Sequence, residues 1–337
     1  MVKINIVELK PLLESSKKII VIPHKNPDGD AIGSCIALNE VLKSLGYQSS
    51  VISPNNFPDF LKWIDDENEI KIYENNPELY NSEILNSDLI FTLDFNSLSR
   101  IGLMGEVVKE SKAVKVMIDH HQSPDDYAAY IYSDVLMSST CEMVYHFITE
   151  LSFTDKITPK VASALYTGIM TDTGSFKFPL TTEVTHSVIS ELIKKGANGN
   201  EINNLVYDNN SFDKVLLLSH TLSNMVVSAE YNTAYMYLTQ EILNKYNFKK
   251  GDTEGFVNYG LSIKGIKFAV IFIENEVDEI IKISLRSKGD FDVNDFSRNN
   301  FNGGGHINAA GGFSKEDLQT TILKFKKLLP QYKAKLR

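Results

Sequence analysis

Two cysteines in 337 residues, Cys35 and Cys141, are too few for a disulfide framework and lack the spacing of a zinc site. Both fall in stretches of helical spacing and read as small buried residues. No apolar run approaches the roughly 20 residues that a membrane-spanning helix needs. The opening Met-Val-Lys-Ile-Asn-Ile has neither the apolar core nor the cleavage site of a signal peptide. A cytoplasmic protein with no membrane partner is therefore expected. Basic residues are also short: 34 Lys and Arg against 43 Asp and Glu leave a net charge of −9. Long duplex or single-stranded nucleic acid calls for a basic surface that releases counterions, so it is not an expected partner. Any anionic substrate should be small, held by metals and a few local cations. There is no internal repeat and no low-complexity segment.

The chain is long enough for two domains, and its pattern changes once. From residue 18 to about 190, strand-like runs alternate with helical ones. Strands are expected at Ile19–Pro23, Ser49–Ser53, Asp88–Asp94 and Val114–Asp119. A helix over Ala31–Gly46 ends on a glycine. Ser139-Thr-Cys-Glu142 has the spacing of a capping box and starts a helix through about Leu151. Pro159 suits the first turn of another, running toward Thr171. This alternation predicts an α/β fold with a mostly parallel, doubly wound sheet over residues 1–190. Residues 191–228 read as a helical linker. Residues 229–337 read as a smaller α+β domain, with strands at Thr233–Leu238, Lys267–Glu274 and Glu279–Arg286. A helical stretch is expected over Thr253–Gly260, and a lysine-rich amphipathic helix from Ser314 onward.

Four segments share one chemical character: His24-x3-Asp28-x-Asp30, Asp94, Asp119-His120-His121 and Asp172. Alone, each has an ordinary reading, such as a helix cap or a polar turn. Three of them, however, end predicted parallel strands, the edge at which open α/β sheets bind ligands. Asp28, Asp30, Asp94 and Asp172 crowded together would repel one another and push some pKa values up. Two divalent cations would balance them. Mixed imidazole and carboxylate ligation suits Mn²⁺, Zn²⁺ or Fe²⁺ better than Ca²⁺, and a paired-metal site suits hydrolysis at phosphorus.

A second signal lies near the C-terminus, in Phe301-Asn-Gly303-Gly304-Gly305-His306-Ile-Asn-Ala-Ala-Gly-Gly312. Consecutive glycines allow close backbone approach and offer unobstructed N–H groups to an anion. The Ala-Ala-Gly tail suits tight packing at the start of a helix. Arg286 is the best nearby phosphate contact, whereas Lys288 and Arg298 read as solvated surface.

Together these residues resemble the DHH phosphoesterase superfamily, named for the Asp119-His120-His121 motif. The Gly303-Gly-Gly-His306-x3-Ala-Gly pattern resembles its DHH-associated substrate-binding domain. The resemblance covers nearly the whole chain and is strongest to the bifunctional oligoribonuclease and 3′-phosphoadenosine-5′-phosphate phosphatase branch. It implies two Mn²⁺ ions, one held by His24, Asp28 and Asp94, the other by Asp30, Asp94, His120 and Asp172. It implies that His121 lies beside the scissile phosphate or assists the leaving oxygen, with Asp119 behind, orienting the histidines. Gly303, Gly304, Gly305, His306 and Arg286 would grip a nucleotide or short RNA across an interdomain cleft. A homodimer is also implied. One departure is visible: a small residue commonly follows the Asp94 position, but Phe95-Asn96 stands here, bringing bulk to the pocket's edge. Arg100, a little further on, is a candidate contact for a substrate phosphate. The expected activity is hydrolysis of oligoribonucleotides of about 2–5 nucleotides and of phosphoadenosine phosphate. The alternatives are a linear or cyclic dinucleotide phosphodiesterase, a pyrophosphatase or exopolyphosphatase, and a non-catalytic nucleotide sensor.

Overall fold

The computed structural model describes residues 2, 3 and 6–337, and the chain divides into two compact units, Met1–Asn209 and Asn210–Arg337. The boundary falls inside the expected linker, so that its first helices join unit one and its last joins unit two.

Unit one is built on a seven-stranded sheet. Its strands are β1 (Val2–Lys3), β2 (Lys18–Pro23), β3 (Gln48–Ser53), β4 (Lys71–Ile72), β5 (Leu89–Leu93), β6 (Val114–Asp119) and β7 (Tyr130–Ser133). The order is β1-β7-β6-β5-β2-β3-β4. All neighbouring pairs are parallel except β1 with β7. Among the described residues, eight α-helices flank it: α1 (Lys10–Ser15), α2 (Gly29–Ser44), α3 (Pro77–Leu85), α4 (Met104–Glu110), α5 (Thr140–Glu150), α6 (Pro159–Asp172), α7 (Glu183–Lys194) and α8 (Gly199–Tyr207). The central strands are apolar runs because both faces are covered. Ile19, Val21 and Phe91 pack toward α2, α5 and α6, while Ile20, Ile22 and Ile90 pack toward α3 and α4. The parallel sheet is thus doubly wound.

From β2 the chain winds outward through β3 and β4, then returns to pair β5 against the other side of β2. The carboxyl ends of β2 and β5 therefore flank the point where winding reverses, the place such sheets open a crevice. Helix α2, buried along almost its whole length, runs from that crevice and packs on α6. Close approach depends on missing side chains. A Cβ on Gly33 would stand 2.5 Å from the Ala164 carbonyl oxygen, and one on Gly168 would stand 2.1 Å from Cys141 Sγ.

Unit two is α+β. Its strands are β8 (Val226–Ser228), β9 (Thr233–Leu238), β10 (Phe268–Asn275), β11 (Ile280–Ser287), β12 (Gly304–Gly305) and β13 (Ala309–Ser314). They form a sheet ordered β12-β13-β11-β10-β9-β8, in which only β9 and β10 are parallel. Helices α12 (Val293–Asn300) and α13 (Leu318–Tyr332) cover one face, through Phe296 and Phe325. Helices α9 (Phe212–Ser223), α10 (Gln240–Lys245) and α11 (Asn258–Ser262) lie at the other.

Several expectations need correction here. The Gly303–Gly312 stretch does not lead into a helix but folds back as the β12–β13 hairpin. The helix expected over Thr253–Gly260 is a series of turns followed by α11. Val226–Ser228, expected to be helical, pairs antiparallel with β9. Among the described residues, no helix is long and apolar enough to cross a membrane.

Candidate metal centre

Of the first segment, only His24 directly follows a strand. Helix α2 starts at Gly29, two residues before the expected start, so Asp28 is its N-cap and Asp30 lies in its first turn. Asp28 Oδ1 accepts the Asp30 and Ala31 N–H groups at 3.0 and 3.1 Å. This is the usual task of an N-cap carboxylate. Its Oδ2 lies 3.9 Å from His24 Nε2. Asp30 is buried and lies against the start of α5, where the Thr140 and Cys141 N–H groups donate to its two oxygens at 2.6 and 2.8 Å. A helix N-terminus is a natural seat for a buried negative charge.

Asp94 directly follows β5, with φ +65°. A non-glycine residue in that region is strained, and such strain gathers where a side chain must be aimed. Its N–H still donates to the Ile118 carbonyl at 3.1 Å, so the strand ladder is extended while the carboxylate is redirected. Asp94 Oδ2 lies 3.5 Å from His24 Nε2, and Oδ1 lies 3.5 Å from His120 Nε2. The Thr140 hydroxyl donates to Oδ1 at 2.9 Å.

Backbone oxygens orient the rings. His24 Nδ1 stands 2.9 Å from the Lys25 carbonyl, and His120 Nδ1 stands 3.2 Å from that of Met137. A carbonyl only accepts, so each Nδ1 carries a hydrogen, and each Nε2 faces the carboxylates as the atom that would ligate a cation once its own proton is lost. His120 Nε2 is 3.7 Å from Asp30 and 3.5 Å from Asp172, the last residue of α6. His121 is held differently. Its Nδ1 donates to Asp119 Oδ1 at 2.8 Å, and its backbone N–H donates to Asp119 Oδ2 at 3.1 Å. Asp119 is fully buried, and its two oxygens fix the ring beside Asp94.

The donors gather into neighbouring groups: His24, Asp28 and Asp94; Asp30, His120 and Asp172; and Asp94, Asp119 and His121. Within each group the ligand atoms lie within 4.8 Å of one another. Atoms that share an ion at about 2.1 Å stand roughly 3.0–3.5 Å apart. The imidazole–carboxylate separations of 3.5–3.7 Å at Asp94, Asp30 and Asp172 are close to that spacing. The electrostatics agree. Burial, then repulsion from Asp94 and Asp172, raises the Asp30 pKa well above the carboxylate range. Burial also pushes Asp172 to about 6. Burial opposes the Asp94 charge too, but His120 and His24 overcome it and hold that carboxyl well below its usual range. Burial opposes protonation of His120, yet Asp94 and Asp172 raise its pKa well above the ordinary value. Protons are doing what cations would do better: the donor set fits two divalent ions.

Arg100 is half-buried on the Leu98–Ile101 turn; burial and then the Arg100 charge oppose protonation of His24, but Asp94 and Asp28 prevail and raise that ring's pKa. Phe95 does not crowd the pocket's edge; it is wholly buried on the α3–α4 face and stacks on Tyr127. Asn96 instead points across, donating to the Gln122 carbonyl at 2.6 Å.

In unit two, Arg286 is half-buried on β11, with Nη1 donating to the Leu285 carbonyl at 3.0 Å. The glycine run has a packing reason. A Cβ on Gly303 would stand 1.9 Å from the Gly311 carbonyl oxygen, and Gly305 has φ +151°. The run is expected to offer unobstructed N–H groups to an anion, but two of them are already engaged. The Gly305 N–H donates to Asn294 Oδ1 at 2.9 Å, and the His306 N–H donates to the Ala309 carbonyl at 2.7 Å. Gly304 precedes both, paired across the hairpin with Gly311. Lys288 and Arg298 are exposed, as expected of solvated surface; Arg298 Nε donates to Asn294 Oδ1 at 3.1 Å, and Lys288 Nζ donates to the Leu261 carbonyl.

Sequence reasoning missed Met137, Thr140, Cys141 and Asn294. The first and third act through backbone groups, which any residue type supplies. Only the Ser139 cap, placing a helix start after Asp119-His-His, could have hinted at Thr140.

Comparison with known proteins places this geometry. The DHH family, N-terminal domain matches residues 18–169, and the DHHA1 domain matches residues 230–331. The bifunctional oligoribonuclease and PAP phosphatase NrnA of Bacillus subtilis is 29% identical, over 87% of this chain and 88% of its own. A crystal structure of an exopolyphosphatase-related protein from Bacteroides fragilis is 39% identical, with TM-score 0.93, covering 100% of this chain and 99% of that one. The fold is shared with RecJ in complex with Mn²⁺ from Thermus thermophilus, at 13% identity and TM-score 0.56, over 99% of this chain and 55% of that one.

Proposed function

This chain belongs to the DHH family of phosphoesterases, hydrolases of phosphate esters, and carries a DHHA1 domain; from that premise we propose that it cleaves oligoribonucleotides of about 2–5 nucleotides and removes the 3′-phosphate of phosphoadenosine phosphate by a two-metal mechanism. The observation that carries the reading is Asp94, whose two oxygens face His24 on one side and His120 on the other at 3.5 Å each. His24 and Asp28 would hold one ion, Asp30, His120 and Asp172 the other, with Asp94 between them. Manganese fits the mixed donors. Bound ions would supply Lewis-acid activation of the attacking water and of the phosphoryl oxygens.

The chain's own groups do the rest. Lys25 and Met137 carbonyls keep the Nε2 atoms of His24 and His120 facing the carboxylates. Asp119 keeps the Nδ1 hydrogen of His121 in place, which leaves Nε2 as the atom that passes a proton to the departing oxygen. That proton is drawn from solvent and regained from solvent after the product leaves. Arg100 is assigned to a substrate phosphate, and Arg286, Gly303, Gly304, Gly305 and His306 to the nucleotide. The substrates are short RNA and nucleotides in the cytoplasm, and the active form is a homodimer.

A second reading, cleavage of inorganic polyphosphate, draws on the description of the Bacteroides fragilis relative. A panel with Mn²⁺ separates the readings: a 5′-labelled RNA trimer, phosphoadenosine phosphate, pApA, cyclic di-AMP, pyrophosphate and polyphosphate. Trimer and phosphoadenosine phosphate should be consumed. Turnover of pyrophosphate or polyphosphate alone would overturn the proposal, and nucleotide binding without turnover would favour a sensor. Asp94→Ala should abolish turnover.

A further inference from the structure

The segment from Met137 to Glu142, the last of the β7–α5 loop and the first turn of α5, touches the metal centre repeatedly. The Met137 carbonyl meets His120 Nδ1, the Thr140 and Cys141 N–H groups meet Asp30, and the Thr140 hydroxyl meets Asp94. Whatever fixes this segment fixes ligands of both proposed ions.

Glu142 is placed to do so. The Ser139-x2-Glu142 spacing predicts a capping box, but only half of one forms. Ser139 Oγ accepts the Glu142 N–H at 3.1 Å. The Glu142 carboxylate is engaged elsewhere. Its Oε2 accepts the Ser138 hydroxyl and, at 2.9 Å, the hydroxyl of Thr185. Its Oε1 lies 3.9 Å from His146 Nε2. Thr185 belongs to the first turn of α7, where its own oxygen accepts the Thr182 N–H at 3.1 Å. One carboxylate thus ties the start of α5 to the start of α7. Glu142 is 1% exposed, and burying a carboxylate is costly unless hydrogen bonds compensate. A leucine would fill the space without that cost. What the carboxylate adds is direction, one oxygen drawing two hydroxyls to fixed positions.

We propose that Glu142 is a positioning residue for the metal centre, acting through Ser138 and Thr185 on the segment that orients His120, Asp30 and Asp94. This rests on the reading that those residues hold metal ions, and the experiment separates the two claims.

Mn²⁺ binding to the intact protein is measured by calorimetry, with melting temperature and the kcat and KM for an RNA trimer alongside. Glu142→Leu should weaken Mn²⁺ binding and lower kcat about tenfold or more, with KM nearly unchanged. Glu142→Gln, whose carbonyl oxygen still accepts both hydroxyls, should stay within about threefold of the parent. If Glu142→Leu fails to fold, the Ser138→Ala, Thr185→Val double variant carries the test, since it removes both donors and keeps the glutamate. Parent-like Mn²⁺ affinity and kcat in that variant, with only its melting temperature lowered, would overturn the proposal. So would damage from Glu142→Gln equal to that from Glu142→Leu. A parent protein that takes up no Mn²⁺ would fail the metal reading itself, and this inference with it.

Discussion

Asp94 shows how much a single residue is asked to do. It extends a strand ladder, adopts φ +65°, accepts a threonine hydroxyl and faces two imidazoles. The residues around it divide into those that face a cation and those that aim them, and the two kinds should fail differently. Asp119→Asn keeps the shape but loses the charge behind His121 Nδ1. Turnover should fall about 10- to 100-fold while Mn²⁺ affinity changes little. Parent-like turnover in that variant would remove His121 from proton transfer. Protonation gives a second prediction. Burial holds Asp172 at about 6, and Asp30 and His120 are raised as well. A raised pKa means that the proton stays on to higher pH, and each of these groups must lose it before it can ligate. Mn²⁺ affinity should therefore fall as pH drops through about 6, with protons released on binding. Calorimetry in buffers of different ionisation enthalpy reads both effects. An affinity independent of pH between about 8 and 5.5 would count against this ligand set.

At the scale of elements, the centre depends on helix ends more than on strand tips. The start of α2 presents Asp28 and Asp30, the start of α5 grips Asp30, and the end of α6 delivers Asp172. These three helices meet through small residues. A Cβ on Gly168 would stand 2.1 Å from Cys141 Sγ and 2.9 Å from Asp30 Oδ1. Gly168→Ala should cost about 1–3 kcal/mol by overpacking, seen as a lower melting temperature. It should also weaken Mn²⁺ binding, because the strain falls on the Asp30 seat. Unchanged melting would mean that α6 can shift freely against α2. Much of this was legible in the sequence. Strands β2, β5 and β6 announce themselves as β-branched runs, and their terminal His and Asp residues point to the site. The hairpin β12–β13 did not, because a strand written in glycine and alanine has no side-chain alternation to read. The half-formed capping box was also beyond reach. Spacing gives the Ser139 cap, but not that Glu142 is captured by Thr185, 43 residues away.

Across the whole chain, charge is unevenly divided. Residues 1–209 hold 17 Lys and Arg against 29 Asp and Glu, whereas residues 210–337 hold 17 against 14. The unit that bears the metal centre thus carries the acidic excess. Its site stands where the winding of the sheet reverses, and local cations there, such as Arg100, are few. Such a surface gains nothing from extra phosphates beyond those it grips directly. Each phosphate neutralised by protein cations on single-stranded nucleic acid adds about −0.7 to the slope of log affinity against log salt. A short substrate held at one or two phosphates should give a slope of about −0.7 to −1.4, and lengthening the RNA should not steepen it. The measurement is kcat/KM for RNAs of 2, 3, 5 and 20 nucleotides at several salt concentrations with Mn²⁺ held constant. Efficiency should fall beyond about five nucleotides while the slope stays shallow. A slope that steepens with length, together with efficiency that rises toward the 20-mer, would reveal an extended basic track and make the chain a processive nuclease rather than a scavenger of short fragments.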